Sequence, residues 1–232
     1  MRRLDRQFVE ENPCEEEFQV SRGGEEAQAF YCAANDSVLV CGLLNGTANV
    51  YQMKTNKLLA VLDCQSSGAF VQLSVGKKFI VAVSSYGIVS VWESRKFSLI
   101  YRENIHENTT IQGIKAVDNI FITGDVEGSI NVFRVCENNV ELLLNVGDEK
   151  NPINHLDFDG KWILTGSQNA LKIWNIFNDK DWSKTVKSGY ICCCCLSFPF
   201  AASAGVRLSK GVKIWDLKKG ILLMTIQEQC FF

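Results

Sequence analysis

Apolar and polar positions alternate in short runs along this chain, and the runs recur at a fixed distance. Five of them end in an aromatic residue: Ala48-Asn49-Val50-Tyr51, Val89-Ser90-Val91-Trp92, Ile130-Asn131-Val132-Phe133, Leu171-Lys172-Ile173-Trp174 and Val212-Lys213-Ile214-Trp215. The aromatics stand at 51, 92, 133, 174 and 215, so each step is 41 residues. The residue before each aromatic is β-branched, the next one back is polar and the third back is apolar. Period-two alternation is the signature of a half-buried strand, not of a helix. Five residues before the aromatic, Gly46, Gly87 and Gly128 predict a tight turn, with Asn169 and Lys210 as the exceptions.

Three further strands are predicted in each repeat. One precedes the turn: Val38–Cys41, Phe79–Ala82, Ile120–Thr123, Trp162–Thr165 and Phe200–Ser203. One comes earlier, at 29–33, 70–73, 111–115, 153–158 and 191–196. One follows the aromatic, at 58–62, 98–101, 140–144, 183–186 and 222–226. Four strands in a repeat of about 40 residues form one blade of a propeller. The expected fold is therefore all-β, with five recognisable four-stranded blades.

The repeats resemble the WD40 family over residues 30 to 226. Ile163-Leu164-Thr165-Gly166-Ser167 with Leu171-Lys172-Ile173-Trp174-Asn175, and Val212-Lys213-Ile214-Trp215-Asp216, are its clearest matches, and only the last holds a Trp-Asp pair. The family's Gly-His dipeptide is missing from every repeat. Its turn Asp, six residues before the Trp, is replaced by Asn45, Tyr86, Glu127, Gln168 and Ser209. The hydrogen-bonded Asp–His–Ser–Trp network usual in that family is accordingly expected to be absent, leaving apolar packing to join the blades. Short turns such as Phe158-Asp159-Gly160-Lys161-Trp162 are similar to those of F-box/WD proteins, the substrate receptors of ubiquitin ligases. No F-box is visible among the 232 residues.

Composition divides the chain into three parts. Residues 1–29 hold eight acids and four Arg and read as an acidic arm with one candidate ring-closing strand, Glu17-Phe18-Gln19-Val20. Residues 30–226 are the repeats, and 227–232 a short apolar tail. A sixth aromatic would be due near position 256. The expectation is a shortened form of a six- to eight-bladed ring, with closure by five blades as the rival. An open ring would leave one blade face bare, and that face is then an expected contact surface.

Charge excludes some functions. There are 24 basic and 26 acidic residues, so no nucleic-acid partner is expected. No apolar run reaches the ~20 residues of a membrane helix, and no secretory signal follows Met1. Ten cysteines without a signal suggest a reduced, cytoplasmic protein, with a nuclear location as the alternative.

The candidate chemistry is sparse. Cys192–Cys195 lie consecutively on a strand, which sends them to opposite faces, so they read as packing residues. His155 near Asp157 lacks a nucleophile, Asp157 and Asp159 read as turn residues, and His106 reads as a solvated loop residue. No catalytic, cofactor or metal site is expected. The candidate binding residues are those of the turns between second and third strands: Tyr86, Arg207, Asn45, Glu127, Gln168 and Lys210. The expected function is a non-catalytic scaffold that binds protein partners through this rim, within a larger complex. The alternatives are a ligase substrate receptor, implied by the second resemblance, a coat or trafficking subunit, and an enzyme using the central channel.

Overall fold

The computed structural model describes residues 29–63, 70–84, 87–106, 109–147, 151–177, 183–205 and 211–227. The ring-closing strand expected at Phe18 and most of the apolar tail lie outside them. The described residues contain twenty strands and no helix long and apolar enough to cross a membrane. The first blade comprises β1 (Ala29–Ala34), β2 (Val38–Leu43), β3 (Thr47–Gln52) and β4 (Leu58–Asp63). The second comprises β5 (Phe70–Val75), β6 (Phe79–Ser84), β7 (Ile88–Glu93) and β8 (Leu99–Asn104). The third holds β9 (Ile111–Val117), β10 (Ile120–Asp125), β11 (Ser129–Val135) and β12 (Val140–Gly147). The fourth holds β13 (His155–Phe158), β14 (Trp162–Gly166), β15 (Ala170–Asn175) and β16 (Ser183–Lys187). The fifth holds β17 (Cys193–Ser197), β18 (Phe200–Ala204), β19 (Val212–Asp216) and β20 (Ile221–Ile226). Each blade is an antiparallel meander whose strands pair in chain order.

The 41-residue period is visible in the hydrogen bonds. At or just past the end of each third strand, one backbone N–H closes onto the turn between the first two strands. The donors are Met53, Ser94, Val135, Ile176 and Leu217, and the acceptors are Ser37, Lys78, Asn119, Lys161 and Pro199, all at 2.8–3.1 Å. The opposite turns of the first, second, third and fifth blades use a glycine with positive φ, and the fourth does not. Gly46 (80°) and Gly128 (93°) hold the position expected for them. In the fifth blade the left-handed residue is Gly211 (106°), one position after the Lys210 exception, where a Cβ would collide with the Ile226 carbonyl.

The core lies between blades. Val38, Val40, Ala48 and Val50 of the first blade pack on Leu73, Ile80, Ala82 and Trp92 of the second. The same register positions make each later junction, for example Trp162, Leu164, Leu171 and Ile173 against Ile191, Ala201 and Trp215. The innermost strands follow in order, β1 on β5, β5 on β9, β9 on β13 and β13 on β17. This close approach fixes residue size: a Cβ on Gly124 would stand 2.7 Å from Leu156, and one on Gly166 2.6 Å from Ile191. Among the described residues the series ends at the fifth blade. Its far face carries Phe200, Val212 and Met224, 47%, 38% and 55% exposed, and β20 is exposed along its whole length.

Candidate functional site: a braced rim

The turns between second and third strands share one rim with the connections between blades. Backbone bonds tie the two together. Val126 donates to Thr110 O at 3.1 Å, and Ile153 donates to Asp125 O at 3.1 Å, so connections on both sides clasp the β10–β11 turn. In the next blade Ser188 donates to Asn169 O and Ile191 to Ser167 O, at 2.9 and 3.1 Å. A surface built from many such segments would be soft if each moved freely. These bonds fix one segment against the next.

A buried polar cluster adds to this at the third blade. His106 is only 5% exposed. Its Nδ1 lies 2.8 Å from Asp125 Oδ2, and its Nε2 lies 2.9 Å from Thr123 Oγ1 and 3.2 Å from the Asn131 amide. Thr109 Oγ1 donates to the same Asp125 oxygen at 3.2 Å. The other carboxylate oxygen accepts from the Glu127 and Ser129 backbone N–H groups at 3.0 and 2.8 Å. A buried carboxylate so fully hydrogen-bonded holds both the turn and the connection.

This corrects two expectations. His106 is not a solvated loop residue, and the family's polar network is not wholly absent. The cluster keeps the His, the Asp and the strand hydroxyl, while Asn131 and the stacked pair Phe121–Phe133 (4.8 Å) stand where a Trp would. A second piece survives in the fifth blade, where Trp215 Nε1 donates to Ser203 Oγ at 2.9 Å. Both pieces hide from counting back from the aromatic. Asp125 stands eight residues before Phe133, not six, and Thr123, Thr165 and Ser203 stand ten, nine and twelve before theirs. The shared signal is strand register: each pairs with the polar residue two before the aromatic.

The predicted rim residues divide into two sets. Asn45, Glu127 and Gln168 are exposed at turns of this rim. Asn45 Oδ1 accepts from Thr47 N and Oγ1 at 3.1 and 2.7 Å, so its side chain shapes its own turn. Tyr86, Arg207 and Lys210 lie outside the described residues.

The inner strands enclose a cavity of about 500 Å³, lined by residues of β1, β5, β9, β13 and β17. Its polar side chains are engaged with the neighbouring blade. Gln72 Oε1 and Ser74 Oγ accept from Ile114 N and Ala116 N, both at 2.9 Å. His155 Nδ1 accepts from Cys194 N at 3.3 Å, and Asp157 Oδ2 from Leu196 N at 2.8 Å. Innermost strands have one unpaired edge, and these side chains satisfy it. Asp157 also meets Lys115 Nζ at 3.2 Å, so it ties three blades and is not a turn residue. Asp159 is one, accepting from Lys161 N and Trp162 N at 3.0 and 2.7 Å. Burial pulls the His155 pKa below its usual value, Lys115 adds to this, and Asp157 opposes it. Burial pushes the Cys194 thiol up, with Asp157 acting in the same sense, so it stays protonated and is a poor nucleophile.

The four consecutive cysteines alternate as a strand requires, but packing holds for one of them. Cys194 is buried toward the fourth blade, whereas Cys192, Cys193 and Cys195 are exposed. Cys193 and Cys195 pair with Ala204 and Ala202 on the far face of the fifth blade, where no further blade covers them among the described residues.

Comparison with known proteins agrees with this architecture. No protein-family model matches the chain. A curated relative, polyadenylation factor subunit 2 of Candida albicans, is 26% identical over 152 residues, covering 57% of this chain and 27% of that protein. The chain thus spans about a quarter of that relative's length. Among solved structures, the computationally designed Ika8 protein superposes with a TM-score of 0.73 at 21% identity, over 89% of this chain and 64% of that one. U3-55K and the WD40 repeats of RRP9 each give a TM-score of 0.72, at 14% and 13% identity, each over 87% of this chain and 64% of the neighbour. The blade order, the repeated interblade packing and these neighbours together give the chain the WD40-type β-propeller fold.

Proposed function

We propose that the chain is a non-catalytic interaction scaffold that binds protein partners through the rim of second-to-third-strand turns, as part of a larger complex. The observation that carries this reading is the bracing of that rim. The His106–Asp125 cluster and the backbone bonds between turns and connections hold exposed Glu127 and Gln168 on a fixed frame. Pre-ordered surface segments lose less entropy when they bind. The inner-channel side chains most suited to catalysis, His155 and Asp157, are instead engaged in satisfying strand edges. Membership of a complex is supported by the relative named as a subunit of a polyadenylation factor. A reducing compartment, the cytoplasm or nucleus, fits the free cysteines on the surface.

The test is a contrast between rims. Glu127→Arg with Gln168→Arg changes the proposed face. Lys78→Glu with Asn119→Arg changes the opposite one. Partners that co-purify with the unaltered chain are expected to be lost with the first pair and kept with the second. Loss with the second pair alone would overturn the reading.

A further inference from the structure

We propose that Cys32 and Cys41 form a redox modification site, a cross-strand dithiol that low-molecular-weight disulfides close into a disulfide between β1 and β2. The two residues are direct partners in the antiparallel register of these strands, and their sulfurs stand 3.5 Å apart. Directly opposed residues in such a ladder have Cα atoms ~4.5 or ~5.5 Å apart. Both spacings lie within the ~4.4–6.8 Å that a disulfide spans, so closure to the ~2.05 Å bond requires side-chain rotation and no change of register. Consecutive Cys193, Cys194 and Cys195 lack this arrangement, because neighbours on one strand point to opposite faces.

The two thiols are unequal. Cys32 is exposed on the innermost strand and borders the central cavity, so a small oxidant reaches it. Cys41 is buried. Burial, with the adjacent Cys32 adding to it, pushes its thiol up to about 12. The order of events follows. The Cys32 thiolate attacks one sulfur of glutathione disulfide, forming a mixed disulfide and releasing one glutathione thiolate. Cys41 then gives up its proton and attacks the Cys32 sulfur, displacing the second glutathione. Two protein thiols are oxidised and one glutathione disulfide is reduced to two glutathiones. The bridge ties the exposed innermost strand of the first blade to β2, whose Val38 and Val40 belong to the core with the second blade.

The experiment uses the whole 232-residue chain, reduced, desalted and equilibrated anaerobically in glutathione buffers of rising disulfide fraction. Remaining thiols are blocked, and the peptides are mapped by mass. The expected result is a Cys32–Cys41 bridge as the predominant crosslink, reversed by excess glutathione. Cys32→Ser, a change at an exposed site, should abolish the bridge without shifting the melting temperature. Cys41→Ala should arrest Cys32 as its glutathione adduct. The proposal is overturned if Cys32 in the unaltered chain stops at that adduct, pairs with another cysteine, or stays a thiol under excess glutathione disulfide.

Discussion

The third and fifth blades have the same strand order and the same sequence period, yet they are held in different ways. The third is enclosed. Its two faces pack on the second and fourth blades, and its rim is pinned by the buried His106–Asp125 cluster. Among the described residues the fifth packs on one side alone, through Ala201, Trp215 and Leu217, and its far face and outer strand are apolar and exposed. Residue size follows the difference. Gly124 of the third blade leaves room for Leu156 of the next. Its register counterpart in the fifth is Ala204, where no following blade approaches among the described residues. The stability of a blade is therefore a property of its neighbours more than of its own sequence, as expected where repeats touch only those beside them.

Breaking the cluster should have the largest effect. Asp125→Ala removes the partner of His106 Nδ1 and leaves the Glu127 and Ser129 amides without their acceptor. Each buried hydrogen-bonding group left without its partner costs about 1–3 kcal/mol. In a chain of this size each kcal/mol lowers the melting temperature by about 2–4 °C, which a thermal melt followed by circular dichroism would read. Wild-type melting in Asp125→Ala would show that the cluster holds nothing.

A matched pair of truncations sharpens the comparison. Ile130 and Val212 occupy the same register position, three before their strand's aromatic, but Ile130 is buried and Val212 is 38% exposed. Ile130→Ala should cost about 2–5 kcal/mol through lost burial and the cavity left behind. Val212→Ala should stay within about 0.5 kcal/mol. Equal losses in urea titrations would mean that the far face of the fifth blade is covered in solution.

The pH dependence is a smaller effect. His155 holds its proton less well in the folded chain than in the unfolded one, because burial disfavours its charge. As pH falls below the ordinary histidine value of about 6.5, the unfolded state takes up the proton first. Stability contributed by neutral His155 is thus complete above that pH and declines below it. His155→Gln should melt less steeply with falling pH between about 7 and 5 than the unaltered chain. Parallel slopes would remove His155 from this account. The smallest effect is expected on the outer strand, where Leu223→Ala should leave the melt unchanged, because Leu223 is already exposed.

The architecture was legible in the sequence because strand period and repeat period reinforce each other. The column of β-branched residues before each aromatic marks β3, β7, β11, β15 and β19, and the other strands follow from it. The polar cluster was not legible by the same count. Its members come from a connection, a strand and a turn, and turn lengths differ between blades, so distances to the aromatic drift while the strand register stays constant. His106 lacks the glycine that usually precedes such a histidine, which removed the local cue. An open blade face was among the expectations, yet the residues of the fifth blade do not themselves mark it. Phe200, Val212 and Ile214 are as apolar as their buried counterparts, and exposure is decided by what lies beside them. Of the proposed rim, the exposure of Asn45, Glu127 and Gln168 was readable from turn position, whereas the bracing behind Glu127 needed three dimensions.

The most direct measurement is hydrogen–deuterium exchange on the chain alone and within the complex in which it co-purifies. Binding through the braced rim predicts that added protection falls on peptides holding the turns at 44–46, 126–128 and 167–169 and the connections at 105–106 and 151–154. Protection confined to the opposite turns at 36–37, 77–78, 118–119 and 159–161, or to β20 alone, would contradict it.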